Sequence, residues 1–290
     1  MSNQLSGRIF SKGLYSSWCH IVGAGTNMLF DAGEGAATDI GNGLVNIEHI
    51  WLGHFHGDHV LGLPSIIGCR NMAQGTSRNA ETRHHNKPLT IHFPNCSGGP
   101  RRDFDNLIQF IESRNRNWLR YDLKWHEMEP GDEVVIGTNT VVRAFQMEHQ
   151  KNTLGLGYTL TEKRHRLREE FRGQDIRALK KANNWTDKDV MLTYDKHLFA
   201  YCLDSYKFDP KHIEGADIAV MDCTFIDPKD RDDPTHFTFA EAIDVATEAN
   251  VKTMLAAHFS SRYRDVTEDD DGMRGSVSVK IVNPSFARDF

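Results

Sequence analysis

Three histidines and an aspartate crowd into the stretch WLGHFHGDHVLGLP, residues 51–64: His54, His56, Asp58 and His59 fall within six positions. On an extended segment residues two apart point to the same side, so His54 and His56 aim at one point. Gly57 then lets the chain turn before Asp58 and His59. Neutral imidazoles and a carboxylate are ligands for zinc and similar divalent ions. Without an ion these groups would compete for too few partners. The apolar run Ile50-Trp51-Leu52 precedes them, and HVLGLPSIIGCRNMAQG follows with helical spacing. The cluster therefore belongs at a strand-to-helix junction.

The same pattern recurs outward along the chain. NMLFDAGEG is a buried strand ending at Asp31. VVRAFQMEH runs out at His149, HLFAYCLDS at Asp204, ADIAVMDCTF in a polar cluster, and KTMLAAHFSSRY at His258. FDNLIQFIESRNRNW and FTFAEAIDVATEANV are amphipathic helices. Thr238 and Glu241 fit a capping box at the start of the second. Strands and helices in this order imply an α/β protein with sheets packed between helices. In such a fold, strand ends on one edge converge although they are far apart in sequence.

Composition narrows the classes. The chain has 290 residues, 39% hydrophobic and 26% charged, and net charge −6. That suits a globular protein with a sizeable core and argues against a general nucleic-acid binder, although a local basic patch can hide inside an acidic total. Five scattered cysteines without a CxxC pair argue against a disulfide framework. They are expected to be small buried hydrophobes. No run of 18 apolar residues and no signal-peptide pattern is present, so no membrane partner and a cytoplasmic location are expected. Residues 75–87 are expected to form a surface loop. Residues 162–188 carry many basic side chains and little core; they are expected to form a short charged helical insertion, EKRHRLREEF and QDIRALKKANN, within a single domain spanning 1–290.

Taken together, HFHGDH resembles the His-x-His-x-Asp-His signature of the metallo-β-lactamase superfamily. LFDAGEG, MEHQKNTLGLGYTL and DCTFIDP…THFTFAEAIDVATEANVKTMLAAHFSSRY are similar to its ribonuclease Z-like branch. The resemblance covers nearly the whole chain. It implies an αββα sandwich of two mixed β-sheets flanked by helices, a metal-dependent phosphodiesterase, and two Zn2+ ions, with Mn2+ open to the same ligands. His54, His56 and His149 would hold one ion, and Asp58, His59 and His258 the other. Asp204 would bridge them, and Asp31 would brace the metal loop. Leu203 and Ser205 depart from the glycine and threonine usual around that aspartate. A shared hydroxide would attack phosphorus, with Asp58 handling the proton of that water and His236 as general acid or phosphate contact. A homodimer is implied by the same resemblance, with residues 71–87 a candidate to complete a partner's pocket.

Two substrates fit this chemistry. Bacterial ribonuclease Z carries a Gly/Pro-rich arm that grips the tRNA elbow. Residues 159–203 hold one glycine, Gly173, and no proline. With the acidic net charge, this favours a small 3′,5′-cyclic nucleotide, such as cyclic CMP or UMP, as in the anti-Pycsar phosphodiesterases. The alternative is tRNA 3′ processing. Tyr263, Phe225 and Trp185 are candidates to stack on a base, and Ser260, Ser261 and Arg262 to contact phosphate.

Overall fold

The computed structural model describes residues 5–73, 86–115, 118–150, 154–263 and 265–290. Among the described residues fifteen strands form two sheets. The first has the order β15-β1-β2-β3-β4-β5-β6. These strands are β1 (Ser6–Lys12), β2 (Ser16–Gly23), β3 (Thr26–Phe30), β4 (His49–Trp51), β5 (Leu89–Pro94), β6 (Leu123–Met128) and β15 (Arg288–Asp289). The second sheet has the order β13-β14-β12-β11-β10-β9-β8-β7. It comprises β7 (Glu133–Val135), β8 (Thr140–Glu148), β9 (Leu154–Leu167), β10 (Met191–Cys202), β11 (Ile218–Asp222), β12 (Thr253–Ala257), β13 (Gly272–Arg274) and β14 (Val277–Ile281). Both sheets mix parallel and antiparallel pairs.

Strand alternation sorts the core into layers. Ile9, Phe30, Trp51, Leu156, Tyr158, Phe199, Val220 and Leu255 form the cluster shared by the two inner faces. The outer face of the first sheet is covered by α1 (Ala36–Ile40), α2 (Gly57–Val60), α3 (Leu63–Ala73) and α4 (Gly99–Asn115). The outer face of the second carries α7 (Phe239–Glu248), which presses Ala242 and Ala246 against Met221, Met254 and Ala256. This is the expected αββα sandwich. Among the described residues no helix is long and apolar enough to cross a membrane. All five cysteines are free; Cys19, Cys202 and Cys223 are buried as expected, whereas Cys69 is exposed.

The expected helical insertion is corrected in its first piece, EKRHRLREEF, whereas QDIRALKKANN does contain a helix. EKRHRL belongs to β9, which pairs antiparallel with β10 from Tyr158↔Tyr201 out to Leu167↔Met191. Pairing of β8 with β9 stops at Glu162, and pairing of β10 with β11 stops at Phe199. From Arg164↔Tyr194 outward the two strands therefore pair only with each other. Burial changes at the same point: Gly155–Thr161 and Leu198–Cys202 are buried, and no side chain from 162 to 189 is. The ribbon is tipped by α5 (Ile176–Asn183), N-capped by Asp175, and α6 (Asp187–Val190). The segment read as helical because Lys, Arg, Leu and Glu are good helix formers; the register of a partner strand 30 residues later overrides that preference. The loop expected at 75–87 lies mostly outside the described residues.

Candidate metal centre and active site

Five segments deliver the site, each from the C-terminal end of a strand. In the first sheet, β3 leads to Asp31 and β4 leads into His54–His59. In the second, β8 leads to His149, β10 to Asp204 and β12 to His258. Strands β8, β10, β11 and β12 run in the same direction, so their ends share one edge. Asp31, Asp204 and His258 have φ of 54°, 53° and 67°. Non-glycine residues rarely adopt this left-handed conformation, and such outliers gather at functional sites. Close backbone approach fixes the loop: a Cβ on Gly62 would lie 2.2 Å from the Gly33 carbonyl oxygen, and one on Gly33 would lie 2.4 Å from that of Asp58.

All seven expected ligands converge. His54, His56, His149 and Asp204 present donor atoms within 4.8 Å of one another, as do Asp58, His59 and His258. Asp204 stands between the sets: its Oδ2 is 3.4 Å from His54 Nε2, and its Oδ1 is 3.3 Å from His59 Nε2 and 3.0 Å from His258 Nε2. The far nitrogens are anchored outside the cluster. His59 Nδ1 donates to Asp31 Oδ2 (2.6 Å), and His149 Nδ1 to the Thr235 carbonyl (2.9 Å). His258 Nδ1 lies 2.9 Å from Thr224 Oγ1. With Nδ1 so engaged, each ring turns Nε2 inward, the arrangement that outer partners impose on metal-binding histidines.

These residues fit a divalent metal. His59 Nε2, His258 Nε2 and Asp204 Oδ1 are buried and have no hydrogen-bond partner among the described residues. Buried polar atoms are almost always paired, and an ion among nitrogen and carboxylate donors accounts for all three. Without an ion the charges compensate each other. Burial would lower the pKa of His258, but Asp204, Asp58 and Asp222 push it up to about 10. Burial likewise opposes a charge on His59, but Asp204 and Asp31 raise its pKa well above the ordinary value. Burial together with the neighbouring His54 and His236 holds His149 down to about 4, against the pull of Asp204.

His236 lies beside this cluster. Its ring stacks on His258, with centroids 5.4 Å apart, and meets His149 edge-on at 4.8 Å. Its Nδ1 donates to Asp222 Oδ2 at 2.7 Å. Burial would lower its pKa, but the charge and hydrogen bond of Asp222 raise it above the ordinary value.

The sequence reading did not assign a role to Asp222 or Arg231. Asp222 belongs to a third group of close donors, with Asp204, His236 and His258. Its oxygens also accept from Ser205 N, Thr224 N and Thr224 Oγ1, which makes it an orienting carboxylate. Its signal was the polar end of the apolar run ADIAVMD. Arg231 bonds the His236 carbonyl and forms a bidentate pair with Glu241 at 2.7 and 2.8 Å. Glu241 and Thr238 complete the expected capping box of α7.

A cleft of about 500 Å³ opens over the cluster, lined among others by Tyr15, Glu34, Asp58, Leu61, Asp204, His236 and His258. A hollow of about 750 Å³ adjoins it at His149 and runs along Glu148, Tyr206 and Asp233–Thr235. Arg262 pairs with Asp230 at 3.3 Å and lies over the Phe225 ring. Trp185 packs on Phe171 at the tip of the ribbon, and Tyr263 donates its hydroxyl to Asp230 at 2.5 Å. None of the three aromatics named as base-stacking candidates lines the cleft.

No protein-family model matches the chain. Curated relatives do. Ribonuclease Z of Halobacterium salinarum is 30% identical, covering 87% of this chain and 83% of that one. Ribonuclease Z of Thermococcus kodakarensis is 29% identical, covering 92% and 85%. Among solved structures, human tRNase Z, short form, superposes with TM-score 0.66 at 17% identity over 98% of each chain. The metallo-β-lactamase fold protein YhfI of Bacillus subtilis gives TM-score 0.64 at 15% identity over 99% of each chain. The fold is the metallo-β-lactamase sandwich. The expectation of a cyclic-nucleotide phosphodiesterase of the anti-Pycsar type is overturned, because relatives matched over most of the chain are named ribonuclease Z. The segment 162–196, though free of proline and nearly free of glycine, projects from the sheet as a two-stranded ribbon tipped by α5 and α6.

Proposed function

The chain belongs to the ribonuclease Z family and is a metal-dependent hydrolase, and we propose that it removes the 3′ trailer from tRNA precursors by hydrolysing one phosphodiester bond. The observation that carries this reading is the seven-donor cluster, at the floor of a cleft, in a chain matched nearly end to end by relatives of that name.

The ribbon supports the substrate. Residues 162–196 hold ten lysines and arginines against seven acidic residues, in a chain of net charge −6. Lys163, Arg166, Arg168, Arg177, Lys181 and Lys188 form no ion pair among the described residues. Cations set apart in this way suit phosphate contacts. The ribbon leaves the sheet at the end of β10 opposite Asp204. From Met191 to Asp204 an extended strand spans roughly 40 Å. A ligand touching both ribbon and cleft has the reach of a folded RNA, not of a small diester.

In this reading the cluster would hold two zinc ions. His54, His56 and His149 would hold one, Asp58, His59 and His258 the other, and Asp204 both. Such ions supply Lewis acidity toward a phosphoryl oxygen and acidify water. Asp58, which borders the cleft, takes the proton of the attacking water. His236, with Nδ1 committed to Asp222, has Nε2 free to give a proton to the leaving oxygen, and the raised pKa favours the protonated ring this role needs. Asp222 favours the charged form of that ring and orients it through the Nδ1 hydrogen bond. The homodimer implied by the resemblance belongs to the same proposal.

The test is trailer removal from a tRNA precursor by the zinc-loaded protein beside Asp204→Ala. A single cut at the trailer junction, lost in the variant, is expected. A wild-type protein that retains zinc and leaves the precursor intact refutes the substrate.

A further inference from the structure

We propose that Tyr15, with Lys12 behind it, is a stacking platform for the unpaired base beside the scissile phosphodiester. The inference rests on the tRNA-precursor reading above and names a contact that sets how the strand enters the cleft.

The β1–β2 hairpin turns through Gly13-Leu14-Tyr15, closed by Tyr15 N–H donating to the Lys12 carbonyl at 3.0 Å. This turn is seated on the site. A Cβ on Gly13 would lie 3.2 Å from the His258 carbonyl oxygen and 3.5 Å from its Cε1. Leu14 takes a φ of 71° with its side chain 88% exposed. No burial of that side chain offsets the unfavourable backbone, so the turn is shaped for something other than packing. Its consequence is to hold Leu14 and Tyr15 at the mouth of the cleft, together with Leu61. Tyr15 is 59% exposed and Leu61 53%.

Apart from the histidines of the metal cluster and His236, Tyr15 is the one residue with an aromatic ring among the described residues lining this cleft. Lys12 Nζ lies 4.8 Å from the centre of its ring. With Lys12 over one face of the exposed ring, the other face is left for a base, and the ammonium stands within reach of the phosphate of the same strand. The cleft lining holds no lysine or arginine among the described residues, so Lys12 adds a positive charge the lining lacks. A trailer is single-stranded at the cut, and unpaired bases are recognised by stacking on aromatic side chains. Stacking also tolerates any base, as a trailer of variable sequence requires.

The experiment uses the zinc-loaded full chain as wild type, Tyr15→Ala and Tyr15→Trp. Substrates are a trailer-bearing tRNA precursor and copies made abasic on one or the other side of the cut. Tyr15→Ala is expected to raise KM about tenfold and to leave kcat within about twofold. Tyr15→Trp restores KM. One abasic copy raises the wild-type KM by a similar factor and adds nothing further in Tyr15→Ala. An unchanged KM in Tyr15→Ala, or penalties that multiply fully, overturns the proposal. So does a variant whose only change is its oligomeric state, which would make the patch a contact between copies. Failure of wild type to cut the natural precursor is a separate result: it removes the substrate reading and this contact with it.

Discussion

Asp31 and His59 are joined by a 2.6 Å hydrogen bond that ties the end of β3 to the metal loop 28 residues later. The same carboxylate accepts from Gly53 N at 2.8 Å and from the Tyr201 hydroxyl at 2.8 Å. One buried side chain thus fixes the loop backbone, the tautomer of a ligand and the contact to the second sheet. Asp31→Ala leaves those donors unsatisfied and is expected to cost on the order of 1–3 kcal/mol for each. Metal affinity should fall about 10–100-fold. Tyr201→Phe removes one donor and should cost less on both counts. Denaturant unfolding of metal-free protein and competition against a zinc chelator separate the two effects; unchanged zinc affinity in a folded Asp31→Ala protein contradicts the bracing role.

Removal of one ligand should strip more than one ion. Asp204 approaches His54 at 3.4 Å and His258 at 3.0 Å. Asp204→Ala is expected to lower bound zinc at both positions, whereas His56→Ala should act mainly on the set shared with His54 and His149. Bound metal per chain by elemental analysis distinguishes them. Equal loss in both variants argues against a bridging Asp204.

His236 should separate chemistry from metal binding. His236→Ala is expected to reduce kcat for trailer removal by about 10²–10⁴-fold with zinc content near wild type. Asp222→Asn, which leaves the ring in place but weakens its partner, should fall between. A His236→Ala protein that loses its zinc would reassign this residue to the ligand set.

The ribbon should act on large substrates alone. Arg168 N–H bonds the Val190 carbonyl at 3.0 Å, so the strands are already closed at that pair. Replacing residues 169–189 by Asn-Gly fits a two-residue hairpin turn. The shortened protein is expected to keep hydrolysis of a small phosphodiester and to raise KM for the tRNA precursor by about tenfold or more, with a shallower salt dependence. An unchanged precursor KM would show that the cations of this segment only solvate it.

Much of this was legible in the chain because it is written in short spacings. His54, His56, Asp58 and His59 are neighbours, and His149, Asp204 and His258 each end an apolar run, so strand period and strand ends locate them. Asp222 also ends such a run, but its part in orienting His236 depends on the packing of β11 against the start of α7, which no spacing records. The ribbon was misread for a related reason. EKRHRL satisfies helix preferences locally, and its partner at 191–196 is too distant for a local pattern to find. The acidic net charge misled as well, since it averages over a chain that places ten of its 34 lysines and arginines on one projection.

Zinc titration into the metal-free protein, reading bound metal and trailer removal in the same samples, joins the site to its function. Cleavage should be absent without metal, rise with occupancy, and level off near two ions per chain, with one cut at the trailer junction. Cleavage by metal-free protein, or an intact precursor at full occupancy, would contradict the assignment of this cluster as the catalytic centre.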